Sequence, residues 1–269
     1  MKQFSYYDDR SLSARAYDDI EGAFGTVGCS ASRGDETFYR ELAARANGLI
    51  LDVGTGTGRI AWALAEAGHA VLGIDTSTAM LAQAEAKRAR HSQETNGRVG
   101  FVRQDMIDLD VKAAFPLIVV SFRTFNHIRN PATQRQALAN LARHLAPGGI
   151  VAIHMIGQPV GAERKVASGV DTVLRYANSG LTLRYRIRER TVDTARQIVT
   201  AAIEYRVSDP DGAVLDESLE VLALRWCTEA EIRGWCAELD LTVEALFGDF
   251  ARGESGPGKE QVWLLRKAR

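Results

Sequence analysis

The chain has 269 residues, 46% of them hydrophobic and 25% charged, which is enough apolar side chain for one large domain or a domain with an elaboration. A formal net charge of −1 gives no global positive field to recruit nucleic acid, and no apolar run reaches the length that spans a bilayer. Cys29, Cys227 and Cys236 are too few and too scattered for a disulfide framework or a zinc site, and MKQFSYYDDRSL lacks the apolar stretch of a secretion signal, so a cytoplasmic protein without metal or membrane contact is expected.

Residues 1–47 are rich in tyrosine and are expected to form a helical segment over the next domain. Between Gly22 and Gly34 small residues suggest a flexible loop; after Asp35, read as an N-cap, Phe38, Leu42, Ala43 and Ala46 follow at helical spacing. Leu49, Ile50, Leu51 and Val53 then form an apolar run that stops at Gly54, Gly56 and Gly58, after which Ile60, Ala61, Leu64 and Ala65 recur at helical spacing. This reads as strand, tight turn and helix, with main chain open to a nucleoside-containing ligand. The third glycine comes one residue too early for a dinucleotide fingerprint, and Arg59 stands where close helix packing needs a small residue. A dehydrogenase is therefore the weaker reading.

A second apolar run, Ala70 to Ile74, delivers Asp75 at its end, where a carboxylate can accept hydrogen bonds from two ribose hydroxyls. Thr76 to Thr78 supply caps for a helix running to about Arg90, with Met80 on its buried side. A third strand, Val99 to Val102, leads to Asp105 and Met106. The fourth, Leu117 to Val120, empties into Ser121, Phe122, Arg123, Thr124, Phe125, Asn126 and His127, a segment expected to line a cleft at the carboxyl ends of a doubly wound sheet. Asn130 and Pro131 start a helix that Pro147-Gly148-Gly149 ends, before a fifth strand, Ile150 to Ile153.

From 171 to 225 the pattern changes to period two: Leu183, Tyr185 and Ile187 alternate with Arg184, Arg186 and Arg188. Two further strands flank the turn Asp209-Pro210-Asp211-Gly212, so an antiparallel meander is expected, with the arginines on a solvated face, an edge suited to pairing two subunits, and a position that helps to close an acceptor pocket. Thr228 and Glu231 read as a capping box, and Leu241 to Phe247 and Gln261 to Leu265 as the last strands. The expected organisation is a lid over 1–47, a Rossmann-like, mostly parallel seven-stranded domain over 48–170 and 226–269, and an antiparallel insertion over 171–225.

LDVGTGTGR followed by GIDTSTAML resembles the first two motifs of class I S-adenosylmethionine-dependent methyltransferases, and Leu145-Ala146-Pro147-Gly148-Gly149 fits the same family. Thr55 departs from it, standing where many members have Cys or Ala. The resemblance implies S-adenosyl-L-methionine as cofactor and a small-molecule acceptor methylated on nitrogen or oxygen. It puts Asp105 on the adenine amino group, Met106 on the ring, and Asp52, Gly54, Thr55, Gly56, Gly58, Asp75, Thr76, Met80 and Ser121 in the cofactor set. An aromatic near Tyr17 faces the methyl donor in small-molecule members, and an aromatic face attracts a sulfonium cation. His127 stands where bacterial aminosugar N-methyltransferases have a loop residue that contacts the acceptor, and it is the residue of that loop suited to proton transfer near neutrality. Arg123 and Asn126 are expected to bind substrate, Arg123 through its fork of donors or else as a structural partner of a carboxylate such as Asp105. A non-catalytic nucleotide-binding subunit of the same fold is the alternative. An RNA methyltransferase is disfavoured, because Ser121-Phe122-Arg123-Thr124 replaces the Asn/Asp-Pro-Pro-aromatic pattern.

Overall fold

The computed structural model describes residues 2–18, 34–160, 164–166, 172–175 and 180–267. In chain order the first elements are β1 (Lys2–Ser5), α1 (Leu12–Arg15), α2 (Asp35–Ala43), β2 (Ile50–Val53), α3 (Arg59–Glu66), β3 (Val71–Asp75), α4 (Thr78–Ala86), α5 (Gln93–Asn96), β4 (Val99–Arg103) and β5 (Phe115–Val120). They are followed by α6 (Pro131–His144), β6 (Leu145–Ile156), β7 (Arg164–Val166), β8 (Thr172–Arg175), β9 (Thr182–Asp193), β10 (Ile198–Ser208), β11 (Val214–Arg225), α7 (Glu229–Glu238), β12 (Leu241–Phe247) and β13 (Glu260–Lys267). Two units result, Met1–Ser30 with Gly161–Arg225 and Ala31–Val160 with Trp226–Arg269, each with its own sheet.

The larger unit is a seven-stranded sheet in the order β12-β13-β6-β5-β2-β3-β4, parallel from β6 to β4 and antiparallel at β13 and β12. Successive residues of its strands serve opposite faces. Leu51, Val53, Ile118, Val120, Val151 and Ile153 pack with Ala137, Leu138 and Leu141 of α6 and with Ile232 and Cys236 of α7. Ile50, Leu117, Val119 and Ala152 pack with Phe38 and Leu42 of α2 and with Ile60, Ala61 and Leu64 of α3. Both faces are covered, which is why these strands read as unbroken apolar runs. Helix starts follow the sequence: Ser77 caps α4 by accepting from the Met80 N–H, Asn130 accepts from Ala132 and Thr133 ahead of Pro131, and Thr228 and Glu231 form a reciprocal capping box.

The smaller unit is a sheet in the order β1-β11-β10-β9-β7, with β8 also on β9; β1 runs parallel to β11 and the other pairs are antiparallel. Leu183, Ala201, Ile203 and Tyr205 form one core with Leu12 and Ala16, and partly buried Tyr6 and Tyr185 pack on it. The fully buried Glu220 accepts from the Leu12 N–H at 2.8 Å, the Ser13 N–H at 3.2 Å and the Ser218 hydroxyl at 2.7 Å, so its charge is spent on α1, its first-turn donors and a neighbouring hydroxyl. On the opposite face Arg188 pairs with Glu204, and Arg206 with Glu204 and Glu217. A register shift at Ala202/Ile203 leaves Arg188 opposite no residue of β10, so the arginine row is interrupted by a bulge.

Several expectations change. Residues 2–5 are a strand, not part of a helical segment, and they belong with the antiparallel sheet, whose strands begin at Arg164, ahead of 171. Asp35 is not the cap of α2: Gly34 holds that position at φ 85°, because the Asp35 carboxylate grips Arg59. The helix after Thr78 is α-helical only to Ala86 and ends in a 3₁₀ turn, Lys87–Arg90. The expected loop from Gly22 and the cysteine at 29 lie outside the described residues. Among the described residues, no helix is long and apolar enough to cross a membrane.

Candidate active site

Strand order reverses between β2 and β5, whose last residues Val53 and Val120 are hydrogen-bond neighbours. The glycine turn after β2 and the loop after β5 therefore leave the sheet side by side at its carboxyl edge, where open α/β sheets bind ligands. Gly54 has φ 65°, and a Cβ there would come within 2.1 Å of Thr124 Cγ2, so the β5 loop sits directly on the turn. Gly56 differs: at φ 56° it has nothing within 4 Å of a built Cβ. The main chain there is bare and leaves room for a ligand to lie against it.

Asp52 is fully buried below the turn. One carboxylate oxygen accepts from the Thr55 hydroxyl at 2.6 Å, while Oδ1 is buried without a hydrogen bond. Burial, opposed by the Thr55 hydroxyl and the Arg59 charge, pushes its pKa up to about 6. Folding therefore favours the protonated form of Asp52. Stability from this group is full below the ordinary carboxylate value, falls as pH rises from about 4 to 6, and the cost of the charged form at pH 7 is on the order of 3 kcal/mol. Asp52→Asn should thus stabilise the ligand-free protein by about 1 to 3 kcal/mol at pH 7 and flatten the pH dependence of its melting between about pH 4 and 6. Equal pH slopes for the two proteins would show that Asp52 is not held in this way.

Asp75, at the end of β3, ties the turn down. Its Oδ2 accepts from the Gly56 N–H at 2.8 Å and its Oδ1 from the Ser77 N–H at 2.9 Å. Asp105 accepts from the Ile107 N–H at 2.9 Å and so caps the short 3₁₀ turn after β4. Met80, Met106, Thr55 and Ser121 are buried nearby in the fold, whereas Thr76 is exposed. Arg59 at the start of α3 forks onto Asp35 at 2.8 and 2.6 Å, closing the entrance to the helix with an ion pair between sequence-distant residues.

In the β5 loop Phe122 and Arg123 have φ values of 46° and 65°, two consecutive left-handed side-chain-bearing residues. Such conformations cost about 1 to 3 kcal/mol each and persist only when held. Arg123 does not pair with Asp105, the carboxylate named from sequence. Its guanidinium takes Glu260 of β13 in a two-pronged grip, Nε to Oε2 at 3.1 Å and Nη2 to Oε1. Asn126 is fully buried and its Oδ1 accepts from the Ile156 N–H at 3.0 Å. His127 is only partly covered, yet its desolvated ring is pushed down to about 4. That lies below the near-neutral value expected from the sequence, because desolvation favours the neutral imidazole.

The cofactor residues named from sequence, with Ser121, Arg123, Asn126 and His127, thus lie on one unit, on or near the turns that follow β2, β3, β4 and β5. Tyr17 belongs to the other unit, where its ring packs edge-on against Tyr7 at 5.7 Å. Glu260, His154 and the Asp35–Arg59 pair were missed; each is a single residue in an unremarkable context, joined to its partner only by the fold.

The fold and this turn make a doubly wound α/β domain with a glycine turn at its switch point. Residues 50–149 match the methyltransferase domain family. The chain is 36% identical over 153 residues to the cypemycin N-terminal methyltransferase of a Streptomyces species, covering 55% of this chain and 56% of that one. It is 32% identical over 149 residues to the demethylmenaquinone methyltransferase of Clavibacter sepedonicus, covering 53% and 57%. The match spans about half the length of these relatives. Similar solved structures are the CcbJ methyltransferase of Streptomyces caelestis, with TM-score 0.74 and 22% identity over 98% of this chain and 99% of that one, and CalS10, an amino pentose methyltransferase from Micromonospora echinaspora, with TM-score 0.68 and 23% identity over 92% and 96%. At those identities the likeness is one of fold.

Proposed function

We propose that this protein transfers a methyl group from S-adenosylmethionine to a nitrogen or oxygen of a small-molecule acceptor. The observation that carries the reading is the bare main chain at Gly56 beside a buried Asp52 oxygen without a partner, both at the switch point of the sheet. A ligand with an adenosyl body and a cationic amino-acid end fits that pair of features: it needs flat access to backbone and a fixed negative charge. S-adenosylmethionine supplies a methyl group already activated on a sulfonium, so the protein's share is to align the acceptor and exclude water.

In this reading Asp75 holds the ribose, Asp105 and Met106 take the adenine, and Asp52 answers the cationic end. A neutral His127 accepts a hydrogen bond from the acceptor and orients it, and the proton leaves to solvent. The reading includes an aromatic role for Tyr17, a cytoplasmic setting, and an edge of the antiparallel sheet as the contact of a homodimer. Its support from relatives is that cypemycin N-terminal methyltransferase and an amino pentose methyltransferase are named for nitrogen-bearing or sugar acceptors.

Calorimetry with S-adenosylhomocysteine and transfer of labelled methyl to a panel of small amines and alcohols test it together. Binding with transfer to at least one acceptor is expected; binding with the donor left intact across the panel would favour the non-catalytic alternative. Asp75→Ala should weaken S-adenosylhomocysteine binding by about 1.5 to 3 kcal/mol, the scale of hydrogen bonds to a charged group. A folded variant with unchanged affinity would take Asp75 out of the site.

A further inference from the structure

We infer that Glu260 is a positioning residue of this site: from the start of β13 it grips Arg123 and thereby holds the β5 loop in its doubly left-handed form, with Thr124 seated on Gly54. The inference rests on the methyl-transfer reading for its kinetic consequence, but its structural part stands independently of any acceptor.

Three observations meet at Glu260. It takes three N–H donors, two from Arg123 and one from His154 Nε2 at 3.1 Å. His154 is fully buried and its Nδ1 has no hydrogen bond, so the donor to the carboxylate is a neutral ring protonated on Nε2. Glu260 also sits opposite Ile156 in the ladder between β13 and β6, and Ile156 is the residue whose N–H reaches Asn126 Oδ1. The loop is therefore gripped twice, through Arg123 and through Asn126, by two residues that face each other across one ladder position. Between those grips lies Thr124, whose methyl group occupies the space a Cβ at Gly54 would need.

An exposed ion pair would carry little of this weight. This one is different in kind: Arg123 and Glu260 are 29% and 23% exposed, the contact is two-pronged, and its cationic partner sits in a backbone conformation that ordinary side chains avoid. Release of Arg123 would let residues 122 and 123 relax to negative φ, which moves Thr124 off the turn and carries His127, three residues on, with it.

The test uses Glu260→Gln, which keeps shape and one acceptor but removes the charge, together with Glu260→Ala, Arg123→Ala, the double variant and Glu260→Asp. Amide hydrogen exchange over 121–128 should accelerate at least tenfold in Glu260→Gln, with β2 and β6 unchanged. Turnover divided by the Michaelis constant should fall at least tenfold while S-adenosylhomocysteine affinity changes less than threefold. Arg123→Ala should lose as much as Glu260→Ala, the double variant no more than either, and Glu260→Asp should recover part of the loss. Unchanged exchange over 121–128, acceleration spread evenly through the sheet, or losses that multiply in the double variant would each overturn the assignment. If the unaltered protein methylates no acceptor, the proposed reaction fails while the exchange measurement still decides the role of Glu260.

Discussion

His127→Asn is expected to lower turnover by about 10²-fold while leaving S-adenosylhomocysteine affinity within a factor of about two, the pattern of a group that touches the acceptor and not the cofactor. The ring is neutral near pH 7 because desolvation pushes its pKa down to about 4. Between pH 5 and 9 its charge does not change. The pH profile of the unaltered enzyme should therefore follow the acceptor's own ionisation, and the limb seen with an amine acceptor should survive the substitution at the same pH. A limb near pH 6 to 7 that disappears in His127→Asn would instead make the imidazole a titrating base. A fall in thermal stability and cofactor affinity together, with turnover per folded molecule intact, would make it a structural residue only.

The second large effect is a contrast between two glycines of one turn. Gly54→Ala should destabilise the protein by roughly 2 to 4 kcal/mol and reduce cofactor binding more than tenfold, because the added methyl meets Thr124 at 2.1 Å on a backbone with φ 65°. Gly56→Ala shares the left-handed backbone but meets nothing within 4 Å, so its cost to the empty protein should stay near 1 kcal/mol. Its cost to binding should be as large as that at Gly54, since the methyl enters the space left beside the main chain. Thermal melts and calorimetry on both variants separate a turn that must pack from a turn that must receive. Equal melting losses, or full cofactor affinity in Gly56→Ala, would contradict the division.

What was legible in the sequence is what is local. The run Leu49 to Arg59 carries strand, turn and helix within eleven letters, and the apolar strands from Ile50 to Ile153 declare themselves because both faces of the sheet are covered. Caps at Ser77, Asn130 and Thr228 follow for the same reason: the partner is two or three residues away. What escaped is what the fold brings from afar. Asp35 looks like an N-cap when Arg59 is out of view, and Arg123 looks like a free fork when Glu260 lies 137 residues downstream. Lys2–Ser5 shows no period long enough to announce a strand; it becomes one because β11 presents an edge. The pKa of His127 is likewise a property of its desolvated place and not of its letter.

That edge pairing has a consequence for how the chain can fold. Lys2 to Ser5 pair with Ser218 to Val221, and Leu12 and Ser13 give their N–H groups to Glu220, so these residues must wait for a stretch more than two hundred positions away. Closing a loop of that size is entropically slow, although its cost grows only with the logarithm of length. On a ribosome the antiparallel sheet cannot gain its β1 edge until β11 has emerged, by which point β2 to β6 have been free to form. Until then an unpaired edge is open to any other extended chain, the state most exposed to aggregation. The β1 edge of the smaller sheet is thus completed only once its last strand, β11, is available.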